Sequence, residues 1–441
     1  MNTPIYDFVH NYAQSGTVRA HMPGHKGVVR GDGISAVYPY DITEIKGADA
    51  LFEADGIIAQ SEKNAASLFG TDGTFYSAGG STLCIQAMLA AVCRHGDRIC
   101  AARNSHKALL NSCILLGLDV DWIYPEFQDG SVIGGLITAK CVEDTLKKSD
   151  RPACVYITSP DYLGNIADIK GIAQVCRRYA VPLLVDNAHG AHLAFLDENI
   201  HPMALGADMC CDSAHKTLPV LTGGAYLHTA SPKYTGMIKE CMSLFGSSSP
   251  SYLILQSLDL CNKYLAEGFR GELRDAVDNV RRLKERLSVG YSICDSEPLK
   301  LTIYAPHSGR SGYSLGECLR QRGVEPEYCD GTHVMLMFSA ATPAEDYRRT
   351  AEALESIPAP RIWIEPPAFD IVPLKRAMSP REAYFAPHER ISAEKCEGRI
   401  CASAATVCPP CVPVAAPGEI FDKNSIKILK MYSIPQVNVV Q

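Results

Sequence analysis

From about residue 53 to residue 230 the chain alternates short apolar, strand-like runs with longer stretches of helical spacing, and few folds accept that alternation. Strands that reach their neighbours through intervening helices pair in parallel, so the pattern predicts an α/β domain built round a mostly parallel sheet. Strands are expected at 74–77, 98–102, 120–124, 153–158, 182–186, 208–212 and 225–228, with helices at 82–93, 107–116 and 169–179. Residues 265–288 read as one long helix, with Leu273, Val277, Val280 and Leu283 opposite a charged face. Beyond it, strand runs at 300–304 and 333–338 mix with a helix at 344–356, the pattern of a smaller α+β domain. The expected organisation is an N-terminal arm over 1–50, a large α/β domain over 51–289 and a C-terminal α+β domain over 290–441.

Composition narrows the function. A chain of 441 residues with 46% hydrophobic and 21% charged residues is globular and long enough to enclose an active site. The net charge of −7, with no basic run, argues against a nucleic-acid partner, which needs a positive stripe to meet phosphates. Apolar stretches such as 113–118 fall far short of the roughly 20 residues that cross a bilayer, so no membrane partner is expected. The opening residues have neither a basic start nor an apolar core, which places the protein in the cytoplasm. The 18 cysteines sit mostly in apolar runs, where a free thiol behaves as a small hydrophobe, and they fit a reducing compartment. Cys408 and Cys411 have CxxC spacing, but no second pair lies near them, so neither a metal nor a redox site is expected.

Four strand ends carry side chains suited to chemistry. Lys216 lies in Ser213-Ala214-His215-Lys216-Thr217 directly after a strand, where a Schiff-base lysine belongs; a solvated turn lysine has the same local signature. Asp186 closes an apolar strand, at the edge where open α/β sheets bind ligands; it could hold a proton on a pyridine nitrogen or merely cap a helix. Gly79-Gly80-Ser81-Thr82 opens a helix and offers N–H groups to a phosphate, although many such turns are only caps. His106, after another strand, could stack on a flat ring or be an ordinary turn residue. The spacing GxGxxG does not follow a strand anywhere, so a nicotinamide enzyme is poorly supported.

Taken in order, His21-Met22-Pro23-Gly24-His25-Lys26-Gly27, Asp41-Ile42-Thr43-Glu44, Arg103-Asn104-Ser105-His106-Lys107, Asp186-Asn187-Ala188-His189-Gly190, Ser213-Ala214-His215-Lys216-Thr217 and Ser379-Pro380-Arg381-Glu382-Ala383 resemble the ornithine/lysine/arginine decarboxylase family over nearly the whole chain. The resemblance implies the aspartate-aminotransferase fold, PLP fold type I, and pyridoxal 5'-phosphate (PLP) as cofactor. It implies that Lys216 carries the cofactor, Asp186 pairs with its ring nitrogen and His106 stacks on the ring, with Lys216 or His215 returning a proton to Cα. Gly80, Ser81, Thr82, Ser213 and His215 would hold the phosphate, and Ala188 and His189 would line the ring. Ser249 resembles a residue that reaches the phosphate of a neighbouring subunit, so a homodimer or larger assembly with shared sites is implied. Glu419 resembles a position near the far end of the substrate, and Asp41, Glu44 and Asp161 are further candidates for its distal cation. The expected activity is decarboxylation of lysine, ornithine or arginine to cadaverine, putrescine or agmatine; alternatives are another PLP reaction, such as transamination or elimination, and an inactive regulatory homologue. The chain departs from the family at Asn187, where Glu is usual, at Asp161 and Leu163, and at Cys411.

Overall fold

The computed structural model describes residues 1–31, 33–127, 131–358, 372–407 and 412–441; Cys408 and Cys411 lie outside the described residues. The chain divides into two compact units, one of Met1–Val92 with Leu184–Leu273, the other of Cys93–Leu183 with Arg274–Gln441.

In the first unit, strand Gly73–Ser77 pairs antiparallel with Ala225–Thr229, which pairs antiparallel with Met209–Asp212. Met209–Asp212 in turn runs parallel to the strand ending at Asp186. Two reversals restore the direction, so Ser77, Asp212 and Asp186 end their strands at the same sheet edge. The sheet is therefore mixed, with Ala225–Thr229 the reversed strand. All these strands are buried along their length, which is why they read as continuous apolar runs rather than as alternating ones.

The opening residues, expected as an N-terminal arm, begin with a helix. Pro4–Gln14 is a helix with proline in its first turn, a position where the missing N–H costs nothing. It packs Ile5 and Val9, both fully buried, against helices Ile57–Phe69 and Tyr252–Glu267. Asp259 holds its start: the carboxylate accepts the backbone N–H groups of Ile5 and Tyr6 at 2.9 and 3.0 Å, and it also receives the Ser61 hydroxyl.

In the second unit, strand Arg98–Ala102 runs parallel to Asp119–Ile123 on one side and Val155–Thr158 on the other. Downstream, Lys300–Tyr304 pairs with His333–Met337 in a four-stranded antiparallel sheet covered by helix Gly312–Arg320. A separate apolar cluster joins Tyr328, Phe421, Leu429 and Val439 near the hairpin-like pair His388–Ser392 and Gln436–Val440. The helix expected over 265–288 is two helices: Tyr252–Glu267 ends at Gly268 and Phe269–Leu287 starts immediately after it. Apolar spacing continues across the break, which hides it from a periodicity argument.

Candidate active site

The strand Met209–Asp212 delivers the lysine. It ends at Asp212, and the chain then makes a single helical turn, Ala214–Thr217, closed by Lys216 N–H to Ser213 C=O at 3.0 Å and Leu218 N–H to Ala214 C=O at 2.8 Å. The Lys216 Nζ lies 3.0 Å from Nε2 of His189, on the turn after the Asp186 strand. His215 is tied back through Nδ1 to the Gly224 carbonyl at 2.9 Å. Burial, and then the charge of Lys216, lower its pKa below that of an exposed histidine, so at neutral pH the ring is uncharged with its proton on Nδ1.

Asp186 is buried at the end of its strand, where its Oδ1 accepts the Ala188 N–H at 3.1 Å. The turn is tight at Gly190, because a Cβ there would come within 2.0 Å of Asn187 Oδ1, so only glycine allows the approach. Ala188 and His189 are buried in this turn.

The third strand end forms a cradle. Ser77 Oγ receives the Gly79 N–H at 3.1 Å and donates to the Gly80 carbonyl at 3.0 Å, and Gly80 takes φ +67° with open space where a Cβ would stand. From Gly80 starts the 13-residue helix Gly80–Val92, whose first-turn N–H groups carry positive potential. Ser213 Oγ donates to Ser81 Oγ at 2.9 Å, so two hydroxyls from different strand ends meet there; Thr82 is exposed beside them. Hydroxyls, a helix start and a side-chain-free glycine fit a phosphate, while an amine and a buried carboxylate on the same sheet edge fit the aldehyde and ring nitrogen of PLP. The neighbouring Thr217 hydroxyl is buried without a partner among the described residues.

Other expected site residues have different settings. Asp41 is half-exposed and receives His25 Nε2 at 3.1 Å, with His25 stacked on Tyr38. Burial and then the charge of Glu53 raise the pKa of Glu44. Ser249 is exposed, with its N–H on Ser247 Oγ at 3.1 Å. In the second unit, His106 caps helix Lys107–Leu116, its Nδ1 accepting the Ala108 N–H at 3.1 Å. The proton therefore sits on Nε2.

Two of the expected cation binders are committed elsewhere. Asp161 is buried, and its carboxylate accepts the N–H groups of Gly135, Gly164 and Asn165 and the Asn165 amide, at 2.8 to 3.0 Å. It holds two loops together and leaves no oxygen for a substrate ammonium. Glu419 is likewise buried: Oε2 pairs with Arg103 at 3.0 Å and accepts the Ala416 N–H at 2.8 Å, while Oε1 accepts Trp122 Nε1 at 2.9 Å. Its charge is already neutralised by an internal guanidinium.

Sequence reasoning overlooked the buried group behind the lysine turn. Asp212 is fully buried and accepts the Asn187 amide at 2.7 Å, His201 Nε2 at 3.0 Å and His228 Nε2 at 3.2 Å. Burial alone would raise its carboxyl; the two imidazole N–H groups that donate to it hold it well below the usual carboxylate range. The only local signal was an acid at the end of an apolar strand, the same signal that marked Asp186.

Comparison with known proteins identifies the family and the fold. Residues 3–297 match the Orn/Lys/Arg decarboxylase major domain and residues 367–436 the C-terminal domain of the same family. The chain is 30% identical to the arginine decarboxylase of Bacillus subtilis strain 168, covering 97% of this chain and 93% of that protein. Among solved structures, the Francisella novicida lysine decarboxylase superposes with a TM-score of 0.83 at 16% identity, over 100% of this chain and 81% of that one. An alanine–glyoxylate aminotransferase from Nostoc sp. shares the fold more distantly, with a TM-score of 0.56 at 18% identity over 68% of this chain and 85% of its own. The chain has the PLP type I fold, with a large mixed sheet and a smaller C-terminal part, and it belongs to the Orn/Lys/Arg decarboxylase family.

Proposed function

We propose that this protein is a PLP-dependent decarboxylase that converts a basic amino acid to the corresponding amine and CO2. The observation that carries the reading is the Lys216 amine 3.0 Å from His189, on the sheet edge that also presents Asp186 and the Ser81–Ser213 pair. Arginine is the first substrate to test, since relatives at 28 to 30% identity over 97% of the chain are named arginine decarboxylases. Lysine and ornithine remain in the same assay.

When bound, PLP supplies an aldehyde that condenses with amines and a ring that accepts the electron pair left by departing CO2. The protein's own contribution follows from the placed groups. Ser81, Ser213 and the start of helix Gly80–Val92, with Thr82, would hold the phosphate, and Lys216 would be the amine that carries the cofactor. The Asp186 carboxylate would hold a proton on the ring nitrogen, and Lys216, with His189 against its Nζ, would return a proton to Cα. Uncharged and fixed to Gly224, His215 is the lesser candidate for that transfer. His106 is proposed as the ring-stacking residue on its motif, as is Ser249 as a phosphate contact in a homodimer. Asp41 and Glu44 are left as the acids for the distal cation. The expected arm, large domain and C-terminal domain at 1–50, 51–289 and 290–441 remain part of the proposal. The described cysteines are all free thiols, and among the described residues no helix is long and apolar enough to cross a membrane; the thiols support a cytoplasmic setting.

The test is incubation of the PLP-reconstituted protein with arginine, lysine and ornithine plus a 2-oxo acid, with products identified by mass spectrometry. Agmatine, cadaverine or putrescine supports the reading; an amino acid formed from the oxo acid overturns it.

A further inference from the structure

Two turns converge on Asp212. One is the turn after the Asp186 strand, which sends the Asn187 amide to Asp212 Oδ1 at 2.7 Å and the Asn187 backbone N–H to the Cys211 carbonyl at 2.9 Å. The other is the lysine turn, which begins at Ser213, the residue after Asp212. Behind them His201 and His228 donate to Oδ2 at 3.0 and 3.2 Å, and His228 Nδ1 lies 2.8 Å from the Thr74 hydroxyl on a third strand. Every member of this group is buried, so each hydrogen bond is made without competing water.

His201, Cys210 and Asp212 are close enough together to suggest a metal site, but the proton positions argue otherwise. His201 Nδ1 accepts the Met203 N–H at 3.3 Å, which puts the ring proton on Nε2, the atom facing Asp212. A metal would require the opposite tautomer and would leave two N–H groups pointing at each other. The group is a hydrogen-bonded network carrying one negative charge.

Resting on the decarboxylase reading above, we propose that Asn187 and Asp212 are positioning residues that set the Asp186 turn against the Lys216 turn, and that they work as a pair holding one negative charge between them. The two positions have different requirements. Asp212 must accept from three donors, whereas Asn187 must donate. A carboxylate at 187 would set two like charges at hydrogen-bonding distance inside the protein and push the turns apart. The reverse arrangement is compatible with the same geometry: an amide at 212 can donate to a carboxylate at 187 while its oxygen accepts from both imidazoles.

The experiment compares Asn187→Asp, Asp212→Asn and the double variant Asn187→Asp/Asp212→Asn with the wild type. Two quantities are read: the melting temperature of the cofactor-free protein, and the fraction of Lys216 trapped by borohydride after incubation with PLP, measured on the Lys216 peptide. We expect Asn187→Asp to lower both, trapping at least tenfold, and the double variant to regain at least fivefold of that trapping. If Asn187→Asp does not fold, a folded, trappable double variant supports the pair equally. Wild-type trapping in Asn187→Asp, or a double variant no better than Asn187→Asp, overturns it. A wild type never trapped at Lys216 overturns the cofactor reading and the positioning role with it; the melting series then decides the charge pairing by itself.

Discussion

Arg103 and Glu419 stand 316 positions apart in the chain and form a buried ion pair, Nη2 to Oε2, at 3.0 Å. Neither side chain is more than 6% exposed, and the guanidinium also lies over the Trp122 ring at 4.7 Å. Removing one member of such a pair strands the other charge without water. Glu419→Gln should therefore destabilise the protein by about 3–5 kcal/mol in urea unfolding. A loss below about 1 kcal/mol, together with a raised KM for the amino acid, would return Glu419 to the role of a substrate binder.

Asp186 and Lys216 should separate in their effects. Lys216→Ala removes the amine, so borohydride should fix no cofactor to that peptide and turnover should vanish. Asp186→Asn keeps the shape of the side chain but not the charge that holds a proton on the ring nitrogen. Trapping at Lys216 should survive in it while kcat falls by roughly 100-fold or more, about 3 kcal/mol of transition-state stabilisation. Normal turnover in Lys216→Ala would dispose of the assignment.

Asp161 is surrounded by donors alone. An amide in its place keeps one acceptor and points an NH2 group at N–H groups, so Asp161→Asn should cost about 2–3 kcal/mol of stability. Chemical denaturation of the variant measures this, and an unchanged midpoint would mean the loops are held by other contacts.

Asp259 makes stability depend on pH. Burial pushes its carboxyl up to about 6, against the pull of Ser61 and the N–H groups of Tyr6 and Ile5. Burial likewise pushes Glu62 to about 6 despite Lys239 at 2.8 Å. A folded-state value above the unfolded one, about 3.9 for Asp, means the native state binds the proton more tightly. The contribution is then whole below about pH 4 and is lost as pH rises through about 6. Asp259→Asn keeps an acceptor for the helix N–H groups and a donor for Ser61. The difference in unfolding free energy, variant minus wild type, should grow in the variant's favour from pH 4 to pH 7, toward about 3 kcal/mol. A flat difference would show that Asp259 titrates normally.

Much of the frame was legible because local composition decides it. Strand Arg98–Ala102 and helix Lys107–Leu116 match their expected limits, since each is an apolar or periodic run closed by polar or glycine residues. The opening helix is hidden by the glycine, histidine and proline scattered through the first 40 residues, although Pro4 followed by Ile5, Phe8, Val9 and Tyr12 has helical spacing. At the site, the sequence pointed to Ser81, Asp186, Ser213 and Lys216 because each ends a strand or lies within four residues of a strand end. It could not distinguish an acid facing a ligand from one spent internally. The partners of Asp161 are mostly backbone N–H groups of two loops, and the partner of Glu419 lies at the other end of the chain. Asn187 looked like a local departure, and only its contact with Asp212 gives it a reason.

The anchoring of the opening helix by Asp259 also bears on synthesis. Ile5 and its acceptor are 254 residues apart, so helix Pro4–Gln14 finds this buried partner only after 254 further residues have been made. At about 5–20 residues per second that interval is roughly 10–50 s. Until then Ile5 and Val9 can meet helix Ile57–Phe69 but not Tyr252–Glu267, so part of their native cover is missing and the nascent chain offers an amphipathic segment that a chaperone can grip.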